Sequence, residues 1–204
     1  YRTQRYHTAM GKALSVRRTI IIRSLCVVLL LCAVLAATEI LWPFGYIDLI
    51  AKEAERNGLE PALVAALIFA ESRYCQRAVS PKGAIGLMQI MPETGAWISG
   101  RLNEPLASTD DLYSAEKNIR LGTWYLRYLL DLFGDVEIAL LAYNAGASAV
   151  EHWQQEHMDP FPETSVFARR VLAVRRIYRT YVKIPLLGRT ISAIPLLALQ
   201  CLLR

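Results

Sequence analysis

The chain has 204 residues, 54% of them hydrophobic, and a mean hydropathy of +0.27 that is high for a freely soluble domain. This length fits one domain with extra segments. The net charge of +5 is mild, and the arginines gather towards the two ends with no basic, aromatic-interleaved stripe between them. That distribution argues against nucleic acid and for an anionic membrane or an acidic polymer.

Arg2, Arg5, Lys12, Arg17, Arg18 and Arg23 all precede the first acidic residue, Glu39, and a bare apolar run follows at 24–37. The run reads either as a signal-peptide core, cut near Val34-Leu35-Ala36, or as a membrane anchor over 20–42 with Trp42 at the far interface. Both readings leave the basic end in the cytoplasm and put everything after Trp42 outside it. Residues 1–42 therefore read as a basic segment plus signal-anchor or signal peptide, 43–183 as one domain, and 184–204 as an apolar tail. That tail is interrupted by Pro185, Gly188, Arg189 and Pro195. It packs on the domain, lies on a membrane surface with the arginines of the preceding helix near anionic headgroups, or forms a second transmembrane span, against which its two prolines and arginine argue.

Within the domain the period is helical almost throughout. Helices are expected at 48–57, closed by Gly58, and from Pro61 at the first helical position to about Arg73. Turn chemistry fills 79–86. Pro92 starts a helix to Ser99 that Gly100 ends, and a polar loop leads to a long amphipathic helix over 114–133. Gly134 breaks it, Asp135 caps a helix to Tyr143, Asn144-Ala145-Gly146 turns, and 147–156 is helical again. Thr164 is expected to cap the last domain helix, which runs to about Val182. No stretch alternates convincingly with period two, so the fold class is mainly α.

One residue breaks the apolar pattern. Leu63, Leu67 and Glu71 lie four apart and share a helical stripe, which places a carboxylate on the core side of its helix. Such a position is costly unless proton chemistry is wanted there. The four cysteines say little: Cys26, Cys32 and Cys201 are in apolar segments, and no histidine is placed to activate Cys75. The histidines are His7, His152 and His157, and no Cys/His spacing suits a metal, so neither metal nor cofactor is expected.

Four motifs follow in order: Glu71-Ser72; Gly86-Leu87-Met88-Gln89 with Pro92; Ala142-Tyr143-Asn144-Ala145-Gly146; and Glu163-Thr164. Together with Asn118-Ile119-Arg120-Leu121-Gly122 and Phe133-Gly134-Asp135, they resemble the ordered motifs of the soluble-lytic-transglycosylase-like family over about 46–183. The resemblance implies a lysozyme-like helical domain that cleaves bacterial peptidoglycan between N-acetylmuramic acid and N-acetylglucosamine. It implies that Glu71 serves first as acid and then as base, so that the muramoyl C6 hydroxyl attacks C1 and a 1,6-anhydro sugar results.

The other roles are carried over one at a time. Ser72 would orient Glu71, or simply cap a helix. Met88 and Gln89 would line the sugar sites, or pack a loop. Tyr143 and Asn144 would contact the acetamido group and the glutamate region, though Asn-Ala-Gly is also an ordinary helix-ending turn. Glu163 would hydrogen-bond sugars across the cleft, or be solvated. Phe167 stands where the family pattern usually has tyrosine, and Cys75-Gln76 where Asn-Pro is commoner. The implied partners are peptidoglycan glycan strands, the inner membrane through the N-terminal helix, and an envelope-spanning secretion or conjugation apparatus, with the catalytic domain in the periplasm. Two alternatives stand beside this reading: a hydrolytic lysozyme of the phage type, and a non-catalytic peptidoglycan-binding scaffold.

Overall fold

The computed structural model describes residues 18, 21–31 and 45–182. Two units are distinguished, Tyr1–Trp42 and Pro43–Arg204. In the first, residues 21–31 are helical and their large apolar side chains are exposed, Ile21 at 66% and Leu30 at 65%. No helix among the described residues is long and apolar enough to cross a membrane. The span expected at 20–42 continues past the described residues, and the tail at 184–204 lies outside them.

In the second unit the order is α1 (Ile47–Arg56), α2 (Pro61–Ser72), α3 (Pro92–Leu102), a 3-10 turn (Thr109–Tyr113), α4 (Ala115–Phe133), α5 (Val136–Ala145), α6 (Ala147–Gln155) and α7 (Pro162–Val182). Among the described residues, extended pairing is limited to the isolated antiparallel bridges Val79–Ile85 and Ile85–Ile90. The start signals are local. Pro61 and Pro92 stand in the first turns of α2 and α3, where a missing N–H costs nothing. Ser114 accepts from the Lys117 N–H to begin α4, and Asp135 accepts from the Ile138 N–H at 3.0 Å to begin α5.

Helix α2 is the hub. Its residues from Ala62 to Ile68 are all buried, so it is apolar on every side, as a helix enclosed by others must be. Helices α1 and α7 pack on it, while α5 joins α7, α4 and α6. The Glu60 carboxylate ahead of α2 accepts from Arg175 Nε at 2.7 Å and Arg179 Nε at 2.5 Å, which fastens α7 to the start of α2. These arginines, Arg179 foremost, hold the Glu60 carboxyl below its ordinary range. The buried Glu53 of α1 faces Arg56 at 3.2 Å and Arg120 of α4 at 3.9 Å.

The boundaries differ from the sequence reading at three places. Helix α3 passes through Gly100 to Leu102, because the left-handed residue that stops it is Asn103, at φ 54°. Helix α5 carries on through Asn144 to Ala145 and stops only at Gly146, at φ 92°. Helix α7 begins at Pro162, whose ring presets the first turn; Thr164 is inside that turn and buried. Cys75 is disulfide-bonded, so it is no free thiol.

Close approach is needed where α4 meets the 86–89 loop. A Cβ on Gly122 would lie 2.5 Å from Met88 Sδ and 2.7 Å from Met88 Cβ. The sulfur can swing aside, but a Cβ is fixed to its backbone. Alanine in mid-helix gains about 1 kcal/mol over glycine, yet the overlap outweighs that gain. Gly122→Ala is expected to lower unfolding free energy by roughly 1–3 kcal/mol in urea denaturation; an unchanged midpoint would mean the approach is looser than described.

Candidate active site

Glu71 is the penultimate residue of α2, on the stripe of the buried Leu63 and Leu67. The helix cannot continue, because Arg73 and Tyr74 both take left-handed backbone, at φ 50° and 62°. Such conformations are costly for residues with side chains and persist where the surroundings fix them. Tyr74 shows the fixing: its ring is fully buried and its hydroxyl donates to the Ala65 carbonyl at 2.8 Å. Glu71 is thereby set where the chain leaves α2.

The next residue, Ser72, reaches the loop over residues 86–89, which three helices hold through its backbone. Ser72 Oγ, at the end of α2, donates to the Leu87 carbonyl at 2.7 Å and shares its proton with the Ile68 carbonyl at 3.2 Å. The Met88 N–H donates to Asn118 Oδ1 of α4 at 2.7 Å. The Tyr143 hydroxyl of α5 donates to the Met88 carbonyl at 2.9 Å. Asn118 spends both Nδ2 protons on the Ile85 and Leu112 carbonyls, at 2.9 and 2.8 Å, so three of its four hydrogen-bonding positions go to this junction. Gly86, at φ 83°, lies so close that an added Cβ would be 2.3 Å from Asn118 Nδ2. Gln89 is itself left-handed at φ 48°, and its Nε2 donates to the Gly86 and Ala78 carbonyls at 2.9 and 3.2 Å.

The electrostatics follow from this enclosure. Desolvation pushes the Glu71 carboxyl up to about 8, and no neighbouring charge contributes to the shift. Glu71 is therefore largely protonated at neutral pH. The Tyr143 phenol is raised well above its ordinary value, first by burial, then by Glu71 and by Tyr125. Tyr143 thus feels the acid electrostatically and hydrogen-bonds the Met88 backbone.

The structure therefore gathers Glu71, Ser72, Met88, Gln89 and Tyr143 around one loop. Their detailed contacts differ from what the motifs alone implied. Ser72 bonds the Leu87 and Ile68 carbonyls. The Met88 side chain has no exposed surface; it packs against Gly122 and Thr123, and the backbone is what Met88 presents to its neighbours. Asn144 is exposed beside Tyr143 in the last turn of α5. Glu163 is exposed in the first turn of α7, and no hydrogen bond among the described residues joins it to the loop. Phe167 lies on the buried side of α7, 9% exposed.

Sequence reasoning assigned no role to Asn118, Gly122 or Tyr125. The signal was their spacing: the three fall on one stripe of α4 at i, i+4 and i+7, where a polar residue and a glycine interrupt an otherwise apolar face.

The transglycosylase SLT domain family model matches residues 48–164. The soluble lytic murein transglycosylase of Escherichia coli K12 is 33% identical over 153 residues, covering 69% of this chain and 24% of that protein. Membrane-bound lytic murein transglycosylase C of Edwardsiella ictaluri is 34% identical over 117 residues, 52% of this chain and 32% of the relative. The transglycosylase of Enterobacteria phage PRD1 is 39% identical over 98 residues, 48% and 33% of the two chains. Among solved structures, an inactive mutant of lytic transglycosylase Slt from Pseudomonas aeruginosa superposes with a TM-score of 0.65 at 33% identity. That match covers 69% of this chain and 25% of its own. The 70-kDa soluble lytic transglycosylase in complex with bulgecin A gives 0.65 at 32%, with the same coverage. The chain spans about a quarter of the length of these soluble relatives.

The raised Glu71 pKa has a consequence for stability with a definite sign. Between the ordinary value of 4.5 and about 8 the folded state binds more protons than the unfolded state, so stability falls as pH rises through that window. The full cost, on the order of a few kcal/mol, is reached above about pH 8. Glu71→Gln removes the titration. Its melting temperature relative to the parent should climb from pH 5 to pH 8, as read by calorimetry; a constant difference would place the Glu71 pKa near its ordinary value.

Proposed function

Because the chain belongs to the transglycosylase SLT domain family, with its mainly helical lysozyme-like fold, we propose that it is a peptidoglycan lytic transglycosylase with Glu71 as its catalytic acid and base. One observation carries the reading: Glu71 ends the buried stripe of α2, next to the residue that holds the 86–89 loop, and burial raises its carboxyl to about 8. Most glycosidases flank the scissile bond with two carboxyl groups, one an acid and the other a nucleophile or a base for water. A protonated carboxyl in this position suits a reaction in which the substrate supplies the nucleophile.

In the proposed sequence the Glu71 proton passes to the glycosidic oxygen between N-acetylmuramic acid and N-acetylglucosamine. The C1–O bond breaks, and the N-acetylglucosamine end leaves as an alcohol. The substrate's own acetamido oxygen stabilises C1 meanwhile. Glu71, now a carboxylate, takes the proton of the muramoyl C6 hydroxyl, whose oxygen closes on C1 to give the 1,6-anhydro ring. The enzyme regains its proton, and no water is consumed. Tyr143 holds the Met88 carbonyl and keeps this end of α5 against the acid, while Asn144, Gln89 and Glu163 are the polar groups assigned to the sugar acetamido and hydroxyl groups.

An envelope setting extends the proposal. The exposed apolar helix at 21–31 suits attachment to the inner membrane, and a disulfide at Cys75 suits an oxidising compartment such as the periplasm. Local opening of the wall for a secretion or conjugation apparatus is the role we assign to a small domain of this kind.

Mass spectrometry of digested murein tests the chemistry. The account expects 1,6-anhydro muropeptides, and products with free reducing ends would instead mean hydrolysis. Loss of general acid–base catalysis in Glu71→Gln should lower kcat by about 10²–10⁴-fold or more. The rate of the parent should decline as pH rises past about 8, where Glu71 loses its proton.

A further inference from the structure

Helix α7 has two contrasting faces. Thr164, Phe167, Ala168, Val171 and Tyr178 are buried along one stripe, and Glu60 takes Arg175 and Arg179 at its margin. Opposite them, Val166, Arg169, Arg170, Ala173, Arg176 and Ile177 lie at i, i+3, i+4, i+7, i+10 and i+11, and all six are exposed. Val166 is 46% exposed and Ile177 41%. Among the described residues, no ion pair takes Arg169, Arg170 or Arg176. From Thr164 onward every charged residue of the sequence is a cation.

A helix that merely shields a core can intersperse acids with its cations, since pairs one turn apart help it. Helix α4 does so, with Arg127 on Asp131. The outward stripe of α7 does not. Its three unpaired guanidinium groups fall within about 10 Å of helix, between two half-exposed branched aliphatics about 16 Å apart. Such a face is matched by a surface that is anionic and apolar together. An acidic polymer offers the first property only. A bilayer containing anionic lipid offers both, phosphate at the headgroups and hydrocarbon just beneath.

We propose that the outward stripe of α7 is a membrane-docking face, on which Arg169, Arg170 and Arg176 bind the phosphates of anionic lipids while Val166 and Ile177 enter between the headgroups. The planar guanidinium matches phosphate with two parallel hydrogen bonds, so arginine suits this task. The helix lies along the surface and does not cross it, in keeping with the absence of a crossing helix among the described residues. Because α7 packs on α2 with its buried stripe, the bilayer lies on the side of α7 turned away from the core. The contact is separate from the apolar helix at 21–31 and does not depend on the lytic reading.

The test is co-sedimentation of the full chain with two kinds of vesicle, pure phosphatidylcholine and an equimolar mixture of phosphatidylcholine with phosphatidylglycerol. Any purely apolar attachment elsewhere in the chain acts on both, so the readout is the preference for the anionic vesicle. Arg169→Gln, Arg170→Gln and Arg176→Gln together should reduce that preference on the order of 100-fold, about 5-fold per arginine. Lysine at the same three positions should keep it within about 3-fold. Val166→Ser with Ile177→Ser should weaken binding to the anionic vesicle about 10-fold. All six positions are exposed or half-exposed, so circular dichroism should show unchanged melting. An unchanged preference in the glutamine variant, or unchanged binding in the serine variant, would overturn the docking face. Loss of binding to purified murein sacculi with vesicle preference intact would assign the arginines to murein and also overturn it. Digestion of detached, soluble glycan strands should be equal in the parent and the glutamine variant; a loss there would place the arginines in the reaction instead. Absence of 1,6-anhydro products from the parent removes the lytic reading alone and leaves the vesicle result standing.

Discussion

Three hydrogen bonds to the backbone of Leu87 and Met88 hold this domain's functional end together. Ser72 reaches it from α2, Asn118 from α4 and Tyr143 from α5. Without them the Leu87 and Met88 carbonyls and the Met88 amide lose these partners, and each buried group left unpaired costs about 1–3 kcal/mol. With them the loop becomes the common contact of three helices, and Glu71, adjacent to Ser72, is set against it. The left-handed Gly86 and the missing side chain of Gly122 are what let α4 come close enough. Loop geometry, helix packing and acid placement are therefore one constraint seen from different sides.

The same closure produces the chemistry. A carboxyl this enclosed, with no cation to stabilise its charge, keeps its proton to about pH 8. Elsewhere in the domain Glu60 takes two arginines from α7, and Glu53 takes Arg56 and Arg120. Acids paired with cations there secure the fold. Glu71, raised by burial, is left for proton transfer.

Much of this was legible in the chain. Proline in the first turns of α2 and α3, Ser114 and Asp135 as caps, and Gly134 as a stop are local signals, and local physics decides them. Glu71 was legible for the opposite reason, since it violates the pattern around it. What stayed hidden depends on contacts between distant segments. Ser72 faces Leu87 fifteen residues on, and Asn118 faces Met88 thirty residues back. Neither partner can be read from spacing. Met88 belongs to a conspicuous motif, yet its side chain is core, because Gly122 opens a space that only the folded arrangement reveals. The ends of α3 and α5 were misplaced for a smaller reason: Gly100 and Asn144 have turn-forming character, but the chain stays helical until Asn103 and Gly146 adopt left-handed or extended positive-φ backbone.

The central claim is that burial alone keeps Glu71 protonated at neutral pH. The direct measurement is an NMR titration of side-chain carboxyl carbons in glutamate-labelled protein, with Glu71→Gln identifying the resonance. The account predicts a midpoint near pH 8 for that signal. A midpoint near 4.5, where an ordinary glutamate titrates, would contradict it.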